Sequence, residues 1–166
     1  ASNPKTGKVL KFGKKAPHIH KKYKAIRRKL QKRKKFKQLK RLKNRESRIV
    51  RDINHKISKR IVKEAKSQNC KIVLENLKGI RKNKKHTKSF NYSLNSWSFY
   101  QLKQFIEYKA KLQGIEVVYI DPRYTSKMCS KCNNLGDRKG KSFECPHCGH
   151  VENADVNASF NIGQKH

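Results

Sequence analysis

The sequence predicts a mixed α/β protein with a basic helical front and a pair of cysteine knuckles. Three observations carry this. A strand–helix–strand pattern runs from Lys71 to Ile120, an apolar recurrence every four residues marks a long helix before it, and two Cys-x-x-Cys pairs follow it. With 166 residues the chain has room for one domain and a small satellite. Lys and Arg number 44 against 11 Asp and Glu, a net charge of +33. A field of that size excludes an ordinary metabolic enzyme as the default and calls for a polyanionic partner, nucleic acid before a membrane surface.

The charge is uneven. Residues 1–45 hold 20 Lys and Arg and no acid, the first carboxylate being Glu46. Asn3-Pro4 and Gly7 spell a turn, and Val9 to Phe12 suit a short strand, so the chain reads as though it starts inside a hairpin. From Tyr23 to about Asn44 a thin apolar stripe of Tyr23, Ile26, Leu30, Phe36, Leu39 and Leu42 suits a basic helix with a break near Lys34. Ile49, Ile53, Ile57, Ile61 and Ala65, with Val50 and Val62 beside them, predict a core-facing helix over Glu46–Ser67. The two segments are expected to pair as a helical hairpin with a basic outer face.

Lys71 to Glu75 reads as a buried strand, with Cys70 before it as a small core residue. Residues 81–96 are polar and basic, hence loop. Trp97 to Leu112 outlines a helix that Gly114 closes, and Ile115 to Ile120 a second strand stopped by Asp121-Pro122. This order implies a parallel pair with a crossover helix. No apolar run approaches the ~20 residues a membrane span needs, and no signal-peptide core is present. An intracellular location is expected.

Cys129-x-x-Cys132 and Cys145-x-x-Cys148 stand twelve residues apart. Two such knuckles set four thiolates around one Zn²⁺, and a full thiolate shell makes the metal structural. Two disulfides or redox dithiols are the plainer reading, disfavoured by an intracellular, highly basic chain. His147 and His150 sit beside the knuckles, but a Cys₄ shell needs neither.

Three motifs occur in order: Leu74-Glu75-Asn76-Leu77-Lys78-Gly79, then Pro122 to Cys132 (Pro-Arg-Tyr-Thr-Ser-Lys-Met-Cys-Ser-Lys-Cys), then Asp155-Val156-Asn157-Ala158-Ser159-Phe160-Asn161-Ile162. On these the chain resembles the C-terminal half of the transposon-encoded TnpB (OrfB) proteins, relatives of the type V CRISPR effector nucleases. The resemblance implies an RNase H/RuvC-like nuclease fragment with a basic helical hairpin insertion and a zinc ribbon before its last helix. It divides the chain into a hairpin remnant (1–17), basic helical hairpin (18–69), strand–helix–strand core (70–121), zinc ribbon (122–150) and final helix (151–166). Family members use a guide RNA to find DNA and cut it with Mg²⁺. By the same resemblance Glu75 and Asp155 match the second and third catalytic carboxylates, and Cys129, Cys132, Cys145 and Cys148 the zinc ligands. Asn133 stands where the family usually has Gly, and Asn153 where it often has Asp.

Taken on position alone, Glu75 is equally a solvated strand-end acid and Asp155 a helix N-cap. Asp121 reads as a turn residue. The family's first catalytic aspartate lies shortly before a stretch like Ala1-Ser2-Asn3, so the chain is expected to lack that carboxylate and the strand bearing it. It is then expected to bind DNA and guide RNA better than it cuts, in the cytoplasm or nucleoid of a prokaryote. The competing reading is a basic zinc-ribbon RNA or DNA binder with no chemistry, whose front, with Tyr23 and Phe36 interleaved, neutralises phosphates and stacks bases. A membrane-surface helix over residues 20–45 has too thin an apolar face to insert.

Overall fold

The basic front is helical, and it breaks where the sequence places its break. The computed structural model describes residues 1–13, 15–77 and 99–165. Helix α1 (Lys15–Lys32) is followed by the short α2 (Phe36–Arg41) and the long α3 (Arg45–Ser67). Lys34 between α1 and α2 has φ 52°, and Asn44 ahead of α3 has φ 66°. Left-handed residues of this kind end one helix and redirect the chain into the next. Tyr23 is the buried residue of α1, so of Tyr23 and Phe36 it is the packing residue. Glu46 fastens α1 to α3: its carboxylate accepts from the Arg27 guanidinium and lies 2.5 Å from His20 Nδ1.

Helix α3 packs against α4 (Phe99–Leu112). The most buried line of α3 is Val50, Asn54, Ser58, Val62 and Ala65, one residue over from the isoleucine line, which is half-buried. Adjacent residues lie about 100° apart on a helix, so both lines belong to one wide face. The two polar members at its centre are bonded. Asn54 Nδ2 donates to Gln101 Oε1 at 3.0 Å, and Lys109 Nζ from α4 donates to Ser58 Oγ at 2.6 Å and to the His55 carbonyl at 2.7 Å. Burial pushes the Lys109 ammonium below its ordinary value, with Lys59 adding to the effect. Gly114 ends α4 at φ 67°, the backbone conformation that favours glycine at a helix end.

Strands β1 (Ile72–Glu75) and β2 (Val117–Ile120) pair in parallel, with Ile72 opposite Val117 and Glu75 opposite Ile120. Parallel strands need a long connection between them, and α4 lies within it. The loop expected over 81–96 and Trp97 lie outside the described residues. Cys70 is exposed, which corrects the expectation of a core thiol: the strand begins two residues later, and Ile72 takes the buried place. A three-stranded antiparallel sheet, β3 (Asp137–Lys139), β4 (Ser142–Glu144) and β5 (Val151–Asn153), leads into the last helix α5 (Ala154–Gln164). At the N-terminus Ser2 and Val9 form an isolated antiparallel bridge around the Asn3–Gly7 turn, in place of a strand over Val9–Phe12.

These elements fall into two compact units. One joins Phe12–Gln68 with Gly79–Gly114 and holds α1, α2, α3 and α4; the other joins Ala1–Lys11, Asn69–Lys78 and Ile115–His166 and holds both sheets and α5. Among the described residues no helix is long and apolar enough to cross a membrane.

Candidate metal centre and carboxylate site

Two tight turns of the same build bring the four cysteines together. The Asn133 amide donates to the Cys129 carbonyl at 3.0 Å, and the Gly149 amide to the Cys145 carbonyl at 2.9 Å. Both donors are left-handed, Asn133 at φ 59° and Gly149 at φ 68°. Asparagine tolerates that conformation better than other side chains do, so it closes the first knuckle as glycine closes the second.

All four are free thiols, and their Sγ atoms lie within 4.8 Å of one another. Cys129 and Cys148 are 3.7 Å apart and Cys132 and Cys145 3.5 Å. A tetrahedron with Zn–S of about 2.3 Å has an edge of about 3.8 Å. The cluster therefore has the donor chemistry and spacing to hold a metal ion such as zinc. The charge balance of the thiols agrees. The Cys132 thiol is pulled down to about 6, first by the Asn134 backbone amide and then by its thiol neighbours, against a desolvation acting the other way. The Cys148 thiol is pushed up to about 12: the His150 amide alone would lower it, but bonds to the other three thiols and desolvation outweigh it. One thiolate makes the next harder to form, and a divalent cation removes that conflict.

Beneath the knuckles Cys129, Phe143, Cys145 and Ala154 form a buried cluster. Two of its four members are metal-ligand candidates, so packing and metal site are one feature.

The two carboxylates stand in different surroundings. Glu75 ends β1 half-buried, and the buried Thr125 donates its hydroxyl to Glu75 Oε1 at 2.5 Å. Tyr124, just before it, takes φ 61° and leaves its ring exposed, a conformation that bulky side chains rarely adopt. Asp155 lies in the first turn of α5 with its side chain 70% exposed, and Arg138 Nη2 of β3 donates to its Oδ1 at 3.0 Å. The N-cap of α5 is Asn153, whose side chain accepts from the Asp155 and Val156 amides at 3.1 and 3.4 Å. Asp155 is thus relieved of capping, and its carboxylate pairs with Arg138 instead. Helix α5 packs against β1.

Two asparagines of the third motif, to which the sequence alone assigns no role, tie α5 to the first knuckle. The fully buried Asn157 accepts from the Ser130 amide at 2.9 Å and donates to the Met128 carbonyl at 2.7 Å. One turn on, Asn161 Nδ2 donates to the Thr125 and Met128 carbonyls at 2.8 and 2.7 Å. Their four-residue spacing on one helix face was the available signal, though polar residues at that spacing usually face water. Asn157→Leu keeps the volume and strands the Ser130 amide, at a cost of about 1–3 kcal/mol. A lower melting temperature with faster zinc release to a chelator is the expected result; an unchanged melting curve contradicts the role.

The fold and site define a mixed α/β protein with a four-cysteine cluster that could hold a metal ion, placed ahead of its last helix. Residues 99–162 match the family model described as Cas12f1-like, TNB domain. The TnpB-like protein MJ0751 of Methanocaldococcus jannaschii is 40% identical over 97% of this chain and 62% of its own length. The CRISPR-associated endodeoxyribonuclease Cas12f1 of Sulfoacidibacillus thermotolerans is 42% identical over 66% of this chain and 25% of that protein. A cryo-EM structure of a Cas12f1–sgRNA–target DNA complex superposes with a TM-score of 0.72 at 30% identity, over 92% of this chain and 42% of the matched one. These matches support a protein of the TnpB/Cas12f type, of which the chain spans 62% or less of the length of the relatives named.

Proposed function

We propose that this chain is the RuvC-like nuclease portion of an RNA-guided DNA endonuclease, with Glu75 and Asp155 as two of its Mg²⁺-binding carboxylates and Cys129, Cys132, Cys145 and Cys148 around a structural Zn²⁺. The supporting observation is the path from knuckle to strand end. Thr125, four residues before Cys129, holds the Glu75 carboxylate, and the helix carrying Asp155 packs on the same strand. A folded ribbon thereby fixes the orientation of the acid at the sheet's end. Mg²⁺, when bound by such hard oxygens, neutralises phosphate charge and lowers the pKa of a water. Thr125 leaves the second oxygen of Glu75 for a cation, and Arg138 offsets the charge of Asp155 until a stronger cation competes for it. The Cas12f1 relative is named an endodeoxyribonuclease and the matched cryo-EM structure is a complex with sgRNA and target DNA, which supports the DNA-cutting and RNA-guided parts; the chain spans less than two thirds of these proteins' length.

The 166 residues supply these two carboxylates, and the family resemblance puts a third on a strand preceding Ala1 in longer relatives. The test is a chain extended upstream through that strand, incubated with guide RNA, target DNA and Mg²⁺. RNA-dependent cutting is expected. A protein that binds both nucleic acids and never cuts supports the non-enzymatic zinc-ribbon binder instead.

The basic front supplies affinity by displacing counterions from phosphates, so binding must weaken steeply with salt. If about six phosphates are neutralised, the log–log slope on duplex DNA is near −0.9 per phosphate, and affinity falls ~10³-fold between about 50 and 200 mM salt. A titration with a flat salt response rules out this use of the basic front.

A further inference from the structure

We propose that the groove between α1, α2 and α3 is a binding site for an unstacked nucleotide of single-stranded RNA, with Phe36 as its stacking face. The proposal rests on the RNA-binding part of the function above and adds a site to it. The groove encloses about 820 Å³, within the ~300–1,000 Å³ usual for ligand sites. Phe36, Leu39, Leu42 and Val50 line it with apolar surface, and the exposed Lys40 and Lys43 line it too.

Phe36 is 64% exposed in a helix that buries none of its residues. Water gains nothing from a phenyl ring there, and Tyr23 on α1 is already used in packing. The ring therefore has a free face in the most basic stretch of the chain. Lys40 and Lys43 are exposed and form no ion pair among the described residues. Glu46, which also lines the groove, does not repel an anion, because His20 and Arg27 already hold its carboxylate. Gln31 and Gln101 add amides at the walls. Gln101 uses its oxygen to accept from Asn54, and its amino group is of the type that donates to a base edge.

An aromatic face, amide donors and two lysines together match a base with its phosphate. Single-stranded RNA presents such bases unstacked, whereas a duplex would first pay to flip one out.

The experiment irradiates the 166-residue chain with single-stranded RNA carrying 5-iodouridine, which crosslinks to an aromatic ring stacked on it, and maps the crosslinked peptide. The expected crosslink is at Phe36. Phe36→Ala removes it and weakens RNA binding by about 5-fold or more, the loss of one base stack. Phe36→Tyr retains both, and Lys40→Gln with Lys43→Gln reduces both. An exposed ring contributes little to folding, and an unchanged helical circular dichroism spectrum confirms that for each variant. Crosslinks that map elsewhere, with Phe36→Ala binding RNA as tightly as the parent, overturn the site while leaving RNA binding intact. Equal or stronger crosslinking of Phe36 to iododeoxyuridine DNA overturns the choice of RNA. A chain that binds no RNA at all removes this site and the RNA-binding reading together.

Discussion

Replacing Cys129 or Cys148 by serine is expected to abolish metal binding and melt the ribbon in both cases. The two positions are chosen for their contrast. Cys129 is fully buried beside Phe143 and Cys145, whereas Cys148 is exposed. Were packing the cause of stability, Cys129→Ser would be severe and Cys148→Ser mild. If the metal is the cause, the two are equal, since each removes one ligand of four. The magnitudes favour the metal. Strands β3, β4 and β5 have three residues each, too short to persist alone, and the buried cluster beneath them has four members. A structural Zn²⁺ contributes about 10–16 kcal/mol in small metal domains, against about 5–15 kcal/mol for the stability of a whole domain.

The measurements are zinc per chain by elemental analysis and amide protection over residues 128–153. Zinc falls from one per chain to none, and protection is lost there while the helices α1, α3 and α4 keep their far-ultraviolet signal. Acid should release the metal too, because the ligands must be thiolates and protons compete for them. A fully protected ribbon without zinc defeats the assignment.

What the sequence made legible here follows from covalent chemistry and periodicity. Four cysteines at knuckle spacing point to a shared metal ion before other uses, and the break near Lys34 and the closing Gly114 are backbone features with local causes. The isoleucine repeat placed α3 and its buried face, but not the polar seam of Asn54 and Ser58, which exists because Lys109 arrives from a helix some fifty residues away. Asn157 and Asn161 were illegible for the same reason: a buried amide looks like a surface amide until its partners are known. Cys70 misled because burial was inferred from a neighbouring apolar run, and the run starts at Ile72. Asp155 was ambiguous between cap and catalyst. Asn153 takes the cap, a role that residue type alone could not assign.

Glu75→Gln and Asp155→Asn, each made in the upstream-extended chain, are expected to lower DNA cleavage by about 10³-fold or more while leaving DNA and RNA affinity within about threefold. Each swap keeps shape and removes charge. In Glu75→Gln the amide still offers an oxygen to the Thr125 hydroxyl, so the knuckle–strand link survives. In Asp155→Asn the bond at risk is the one to Arg138, which joins side chains 70% and 35% exposed, and exposed pairs of this kind contribute about 0–1 kcal/mol. Folding is therefore nearly unaffected, and a fall in rate reports chemistry. Cation-assisted phosphodiester cleavage draws several kcal/mol from the metal site, and each ~1.36 kcal/mol is about tenfold in rate. The double variant should be scarcely slower than either single one, because groups holding one cation set fail as a unit. Cleavage undiminished by Glu75→Gln would return Glu75 to an ordinary strand-end acid. Cleavage undiminished by both would move the reaction to other residues and leave this chain the part of a basic zinc-ribbon binder.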